Sequence, residues 1–139
     1  HIGLGTFRAV EVEDLTKHKM DSEEFYISKE ASAQVNHTKK LKKKLCIVGT
    51  STMRAAESKV STKGELIPFS GWTSKFIFPP YEICLANAMI TNFHLPKSSL
   101  LLLTAAYLKT DQLLKAYHEA LKHDYKFFSL GDAMMIIKE

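Results

Sequence analysis

The sequence predicts an α/β fold in which a mainly parallel sheet is flanked by helices. Short apolar runs alternate along the chain with longer segments of helical periodicity, as at Leu45–Val48 and Ser98–Leu108. Hydrophobic residues make up 45% of the 139 residues, an ordinary content for a globular protein of this size. We therefore expect residues 1–139 to form one compact domain.

The first half of the chain contains two predicted strands, a lysine-rich helix and a strand–turn–helix unit. Apolar and polar residues alternate over Thr6–Val12, and the aromatic run Phe25–Ile27 is typical of a second strand. Lys29–Lys43 is predicted to be a helix with a narrow apolar face. Leu45–Val48 is apolar throughout, as in a strand buried on both faces, and a helix running to Val60 follows it.

The second half is predicted to contain three more strands and two helices. A turn signal at Lys63–Glu65 precedes this half, and Pro79–Pro80 interrupts its first apolar stretch. The predicted strands are Phe76–Phe78, Ile83–Ala86 and Met134–Ile137. The predicted helices are Ser98–Leu108 and one that is capped by Thr110, with an apolar stripe at Leu113, Tyr117, Ala120 and Leu121.

A turn rich in hydroxyl groups joins the strand Leu45–Val48 to the helix after it. Gly49 allows a sharp turn, and Thr50–Thr52 supply hydroxyls and a helix cap. A helix N-terminus attracts anionic groups, and ligands of open α/β sheets bind at the carboxyl ends of the strands. Arg54 and Glu57 are three residues apart and share one helix face. The alternative is an ordinary strand-to-helix connection without a binding role.

Polar side chains are also concentrated in Asn92–Ser98, immediately before the apolar run Leu100–Leu103. Pro96 suits the first turn of a helix, so we expect the polar groups on a loop that a buried helix holds in place. His94 carries the group that titrates near neutral pH. His94 is either a functional group or a hydrogen-bonded structural histidine, and the residues leave both interpretations open.

Five blocks of the chain, in their order, carry a resemblance to a known family. The blocks are His1–Phe7, Leu45–Ser58, Gly71–Tyr81, Asn92–Ser98 and Tyr125–Ile136. Together they resemble the S-adenosylmethionine:tRNA ribosyltransferase-isomerase family of queuosine biosynthesis, over essentially the whole chain. The chain departs from the family pattern at Pro80, where glycine is usual, and at Ala56, where a larger apolar residue is common.

The resemblance implies an α/β domain into which a β-barrel domain is inserted. This chain is similar only to the C-terminal part of the α/β domain, so we expect it to lack the barrel and to be inactive by itself. In the family, S-adenosylmethionine donates its ribosyl carbons to the aminomethyl group of a 7-deazaguanine at the wobble position of tRNA. Epoxyqueuosine-tRNA forms, adenine and methionine are released, and no cofactor is implied beyond S-adenosylmethionine as co-substrate.

The matched blocks also imply site residues. His94 is the first candidate for acid/base catalysis, and Glu57 is either a second base or a partner of Arg54. Asp132 either binds the donor or serves as a turn residue. The predicted substrate-binding residues are Gly5, Thr6, Gly49, Thr50, Ser51, Arg54, Asn92, Ser98, Gly131 and Asp132.

Other classes of site are excluded because the sequence lacks the residues that they require. Gly3–Arg8 has no third glycine of a dinucleotide fingerprint, and His118–Glu119 lacks the second histidine of a zinc-protease motif. Cys46 and Cys84 lie in apolar segments and are predicted to be buried free thiols of a reducing cytosol. The run Leu100–Leu108 falls far short of the roughly 20 residues of a membrane helix. We therefore predict no metal, no membrane association and a cytoplasmic location.

Two alternatives compete with the ribosyl transfer. A formal net charge of +4, a pI of about 9.0 and the lysine cluster at 39–44 are compatible with a tRNA-binding module without catalysis. The same lysines are otherwise a solvated helix end. A methyltransferase is the enzymatic alternative, because Phe78–Tyr81 is similar to a Pro-Pro-Tyr motif of amino-group methyltransferases. Phe78 lacks the oxygen that would accept a hydrogen bond from the target amine.

Overall fold

The structure, a computed structural model, describes residues 9–138. Within them the chain forms five strands and four α-helices. The strands are β1 (Glu23–Ile27), β2 (Cys46–Val48), β3 (Phe69–Thr73), β4 (Ala88–Asn92) and β5 (Ala133–Ile137). The helices are α1 (Lys29–Lys40), α2 (Thr50–Ser58), α3 (Ser99–Leu108) and α4 (Thr110–Lys122).

The strands are arranged in two small sheets. β4 is the central strand of the first sheet, with β2 parallel to it on one side and β5 antiparallel on the other. β1 and β3 form a separate antiparallel ladder in which Phe25 lies opposite Gly71. Because β2 and β4 are parallel, the residues that follow Val48 and Asn92 meet at one edge of the sheet.

Local capping and apolar burial explain the helices. The Ser28 hydroxyl accepts a hydrogen bond from the Ala31 N–H at 3.0 Å, and the Ser98 hydroxyl accepts one from Leu101 N–H at 3.1 Å, so serine caps start α1 and α3. The core draws side chains from both sheets and from α2 and α3, including Met53, Met89 and Leu103. None of the helices within residues 9–138 combines the length and the apolar character that a membrane crossing requires.

The mixed α/β class is confirmed, but the described strands do not form a mainly parallel sheet. One of the three strand pairings in residues 9–138 is parallel and two are antiparallel. Between β4 and β5 the chain forms two successive packed helices, α3 and α4. After these two helices the chain returns alongside β4, and β5 pairs with it in the antiparallel direction, with Ala88 opposite Ile137.

Two predicted strands are wrong, and two strands were not predicted. Phe76–Phe78 and Ile83–Ala86 form no strand, whereas β3 and β4 lie a few residues away. The Cys84 and Leu85 N–H groups donate to the Glu57 carboxylate at 3.1 and 2.8 Å, which replaces the ladder bonds that a strand would make. β4 was missed because it ends in polar residues, and β3 because it contains a glycine.

Three predictions about the burial or capping role of individual residues were wrong. Cys46 and Cys84 are free thiols, but both are exposed, because the neighbouring Ile47 and Ile83 point into the core instead. Leu121 is 59% exposed and does not belong to the buried stripe of α4. Lys109 precedes α4 as its cap residue, whereas Thr110 was expected in that role.

Apart from the strand predicted for Thr6–Val12, the remaining predicted elements agree with the structure to within a few residues. α1 ends at Lys40 rather than Lys43, with a positive φ of 52° at Lys42 beyond its end. The strand predicted for Thr6–Val12 lies partly outside the described residues. Its described part contains an isolated bridge between Ala9 and Ser98.

Candidate functional site

An open cleft of about 390 Å³ lies at the carboxyl ends of the parallel strands β2 and β4. Its volume falls in the range of small-molecule sites, and its place in the fold is where α/β sheets bind ligands. The lining residues are Val48, Gly49, Thr50, Ser51, Thr52, Thr91, Asn92, His94, Leu100, Phe128 and Ser129. The structure thus brings five predicted site residues, Gly49, Thr50, Ser51, Asn92 and His94, into one cleft.

The turn between β2 and α2 forms one wall of this cleft. Gly49 has φ +88° and ψ 142°, a conformation that is essentially restricted to glycine. Its N–H donates to the Ile90 carbonyl at 2.8 Å, which joins the turn to the end of β4. The N-terminal turn of α2, Thr50–Thr52, borders the cleft, where backbone N–H groups of a helix N-terminus favour an anionic ligand.

His94 also lines the cleft and is held by two hydrogen bonds. Its Nε2 lies 2.8 Å from the Thr91 hydroxyl, and its backbone N–H donates to the Tyr117 hydroxyl at 2.8 Å. The residue is only 5% exposed, and burial lowers the pKa of the imidazole from 6.5 to about 4. His94 is therefore neutral at pH 7. It has both the hydrogen bonds of a structural histidine and a place in the cleft.

The C-terminal segment closes the cleft from a third side. The Phe128 N–H donates to the Phe93 carbonyl at 2.7 Å, and Asn92 Nδ2 donates to the Asp132 carbonyl at 3.3 Å. Phe93 is buried, and its ring centroid lies 5.3 Å from that of Tyr117. These contacts bring Phe128 and Ser129 to the cleft.

Arg54 and Glu57 lie in the interior and do not line this cleft. Arg54 forms a buried ion pair with Glu23 on β1, and burial lowers the pKa of its guanidinium. The Glu57 carboxylate accepts hydrogen bonds from the Tyr81 hydroxyl at 2.9 Å and from the backbone N–H groups of Cys84 and Leu85. Burial and the Glu57 charge raise the pKa of Tyr81. The ligand and base roles of Arg54 and Glu57 stay predictions.

The other predicted binding residues lie around the cleft or outside the described part. The Ser98 hydroxyl accepts from Leu101 N–H and donates to the Leu95 carbonyl at 2.7 Å, so it shapes the start of α3. Gly131 has φ +115°, and the Asp132 carboxylate accepts a hydrogen bond from the N–H of Lys126, six residues earlier in the chain. Gly5 and Thr6 lie outside the described residues.

Sequence reasoning missed Thr91 and Ser129. Thr91 is a buried residue of β4, and its contact with His94 depends on the loop that folds back at the end of the strand. Ser129 reaches the cleft through the contact between the C-terminal segment and Phe93. Its position in the Tyr125–Ile136 block was the one signal that could have found it. Residues 9–138 contain no group of three or more histidine, cysteine or acidic side chains arranged to hold a metal ion.

Comparison with known proteins defines the family. The family model described as queuosine biosynthesis protein matches residues 1–136. S-adenosylmethionine:tRNA ribosyltransferase-isomerases of Phocaeicola vulgatus and Flavobacterium psychrophilum are 56% and 57% identical over 137 residues, which are 99% of this chain. The crystal structure of an S-adenosylmethionine tRNA ribosyltransferase from Thermotoga maritima superposes with a TM-score of 0.76 at 40% identity. That match covers 82% of this chain and 40% of the Thermotoga chain.

The match runs through nearly every residue, including the two strands and the loops that build the cleft. The chain belongs to the queuosine biosynthesis protein family. It spans 39% of the length of the Phocaeicola and Flavobacterium relatives.

Proposed function

We propose that this chain forms part of an S-adenosylmethionine:tRNA ribosyltransferase-isomerase and supplies a wall of its donor site. The observation that carries the proposal is the convergence of the Gly49–Ser51 turn, Asn92 and His94 in one cleft. Relatives with that name are 56% and 57% identical to the chain. We further propose that residues 1–139 are the C-terminal portion of a larger, mainly parallel α/β domain, with the family's β-barrel domain outside this chain.

The reaction determines what such a site has to supply. The sulfonium of S-adenosylmethionine acidifies the 5′ carbon of the ribose, where a base removes a proton. Opening of the ribose ring expels adenine, the amine of the 7-deazaguanine attacks, and methionine leaves as the epoxide closes. The N-terminus of α2 suits the donor's carboxylate, the Asn92 amide suits a ribose hydroxyl or the adenine base, and the neutral His94 suits hydrogen-bond donation.

The proposed macromolecular partner is tRNA with a 7-deazaguanine at its wobble position, modified in the cytoplasm. Four exposed lysines at the end of α1 and just after it are available for phosphate contacts: Lys40, Lys42, Lys43 and Lys44. Lys39 instead donates to the Gly64 carbonyl at 2.5 Å and braces a turn. A binding module without catalysis would show the same salt-sensitive tRNA binding but no binding of the donor.

Titration calorimetry of S-adenosylmethionine with this chain tests the donor site. We expect saturable binding that weakens by about tenfold or more in Asn92→Ala, since a hydrogen bond to a ligand is lost from the cleft. Gln112→Ala is the matched control, because it removes an exposed amide on α4 that does not line the cleft. If Asn92→Ala and Gln112→Ala bind equally well, the donor is not held in this cleft.

The full-length enzyme tests the reaction. Incubated with S-adenosylmethionine and substrate tRNA, it should release adenine and methionine, whereas a methyltransferase would release S-adenosylhomocysteine. His94→Gln in that enzyme should lower turnover by about 10² or more if the imidazole takes part in proton transfer. His118→Gln removes an exposed imidazole on α4 and should leave turnover unchanged. Near-normal turnover of folded His94→Gln would reduce His94 to a structural role.

A further inference from the structure

We propose that Thr91 is a positioning residue that locks His94 as the tautomer with its proton on Nδ1, so that His94 presents a hydrogen-bond donor to the cleft. Nε2 is then an acceptor for the Thr91 hydroxyl. The donor role in catalysis rests on the proposed function, whereas the tautomer follows from the contacts of this chain alone. Neither Thr91 nor the tautomer was predicted from the sequence.

The two ring nitrogens of His94 have different surroundings. Nε2 lies 2.8 Å from the Thr91 hydroxyl oxygen, on the side of the central strand β4. Nδ1 makes no hydrogen bond within residues 9–138, yet it is not among the side-chain atoms sealed from solvent. His94 lines the cleft, so Nδ1 is the nitrogen that is open to it. A ligand in the cleft therefore faces Nδ1, which is either an N–H donor or a lone-pair acceptor.

The direction of the Thr91–His94 hydrogen bond follows from the available acceptors. Thr91 is 4% exposed, and within residues 9–138 its hydroxyl makes no hydrogen bond other than the one to His94. If Nε2 carried the proton, the Thr91 hydroxyl would accept it and its own hydrogen would have no protein acceptor. If Thr91 donates, its hydrogen is satisfied and the Nδ1–H group faces the open cleft. Thr91 and His94 both line the cleft, but only the second arrangement leaves the unbonded hydrogen on Nδ1, the nitrogen that is open to solvent, so it is favoured.

The backbone of His94 is held next to the Thr91 side chain by further contacts. The His94 backbone N–H is bound by the Tyr117 hydroxyl at 2.8 Å, and the neighbouring Phe93 ring packs against Tyr117 and Phe127. Burial also keeps the imidazole neutral at pH 7, so a single proton is shared between the two nitrogens. A neutral imidazole with Nδ1–H toward the cleft donates to an acceptor atom of the substrate and does not act as its base.

Nitrogen-15 NMR of the ring nitrogens tests the tautomer in this 139-residue chain without any substrate. The chain has six histidines, and the His94 signals are those that disappear in His94→Gln. At neutral pH we expect Nδ1 to show the protonated-type shift and Nε2 the unprotonated type. The expected ratio of the two tautomers is at least about ten to one, given the cost of an unsatisfied buried donor. A predominant Nε2–H tautomer would overturn the proposal regardless of how any variant behaves.

Two substitutions separate positioning from a structural role. Thr91→Val keeps the shape of the side chain and removes the donor, so the tautomer ratio should shift toward Nε2–H by about tenfold or more. Thr91→Ser keeps the hydroxyl and should retain the wild-type ratio. An unchanged ratio in folded Thr91→Val would show that Thr91 does not set the tautomer. Confirmation of the tautomer together with no S-adenosylmethionine binding by the full-length enzyme would leave this inference intact and reject the proposed function.

Discussion

At the residue scale, the burial of His94 makes the stability of the protein depend on pH. The unfolded chain takes up a proton on this imidazole near pH 6.5, whereas the folded chain does so only near pH 4. Between these values the unfolded state binds more protons, so the free energy of unfolding should fall as pH drops from about 6.5 to about 4. The contribution of His94 to that loss is about 3 kcal/mol.

Denaturant unfolding of the chain across this pH window measures the effect. His94→Gln removes the titrating group, so the stability difference between wild type and variant should narrow as pH falls from 6.5 to 4. His118→Gln serves as the control because the side chain is exposed. Its free energy of unfolding should decrease with falling pH as that of the wild type does. A constant difference between wild type and His94→Gln would mean that His94 is not kept neutral by burial.

At the element scale, the connection between β2 and α2 depends on one backbone conformation. Gly49→Ala should destabilise the protein by about 1–3 kcal/mol, because φ +88° with ψ 142° is strained for any side chain. A Cβ there would have its nearest neighbour, Thr52 Oγ1, at 3.9 Å, so the cost is backbone strain and not a clash. Because the turn forms a cleft wall, S-adenosylmethionine affinity should fall as well.

Gly64→Ala is the matched control for this turn. Gly64 also has a positive φ, +74°, but it lies in the turn between α2 and β3 and does not line the cleft. Gly64→Ala should lower the free energy of unfolding by about 1–2 kcal/mol in denaturant unfolding and leave the affinity for S-adenosylmethionine unchanged in calorimetry. Equal donor affinities of the two variants would contradict a binding role of the Gly49 turn.

At the scale of the whole molecule, an aromatic cluster joins β4, α4 and the C-terminal segment. Phe93 is 3% exposed, and its ring centroid lies between 5.2 and 5.6 Å from those of Tyr117, Tyr125 and Phe127. Phe93→Ala should lower the free energy of unfolding by about 3–5 kcal/mol, since a cavity would open at this junction. Hydrogen exchange should also speed up at the Phe128 N–H, which donates to the Phe93 carbonyl.

Trp72→Ala provides the comparison for a large aromatic residue on the surface. Trp72 is 64% exposed, so its removal should change the free energy of unfolding by no more than about 0.5 kcal/mol. If Phe93→Ala were as mild as Trp72→Ala in denaturant unfolding, the cluster would not hold the C-terminal segment in place.

Elements with a strong local sequence signal were predicted correctly, and elements with a weak one were missed. The buried helix α3 has a serine cap and an apolar sequence, and the structure confirms it to within one residue. The strands β3 and β4 were missed because Gly71, Thr91 and Asn92 weaken the apolar pattern on which strand prediction relies. Ile83, Leu85 and Ala86 are buried without forming a strand, because the Glu57 carboxylate accepts hydrogen bonds from two N–H groups of this segment.

The sequence by itself determined the α/β class, the family and two of the three segments that form the cleft. Those features depend on residue types at close spacing, such as Gly49 before a run of hydroxyl residues and His94 before a buried helix. Only the tertiary structure decided that Arg54 pairs with Glu23 and that Glu57 binds backbone N–H groups, whereas His94 reaches the cleft. The physical reason is that burial and hydrogen-bond partners arise from parts of the chain far apart in sequence. The same side chain can therefore support the core or face a ligand.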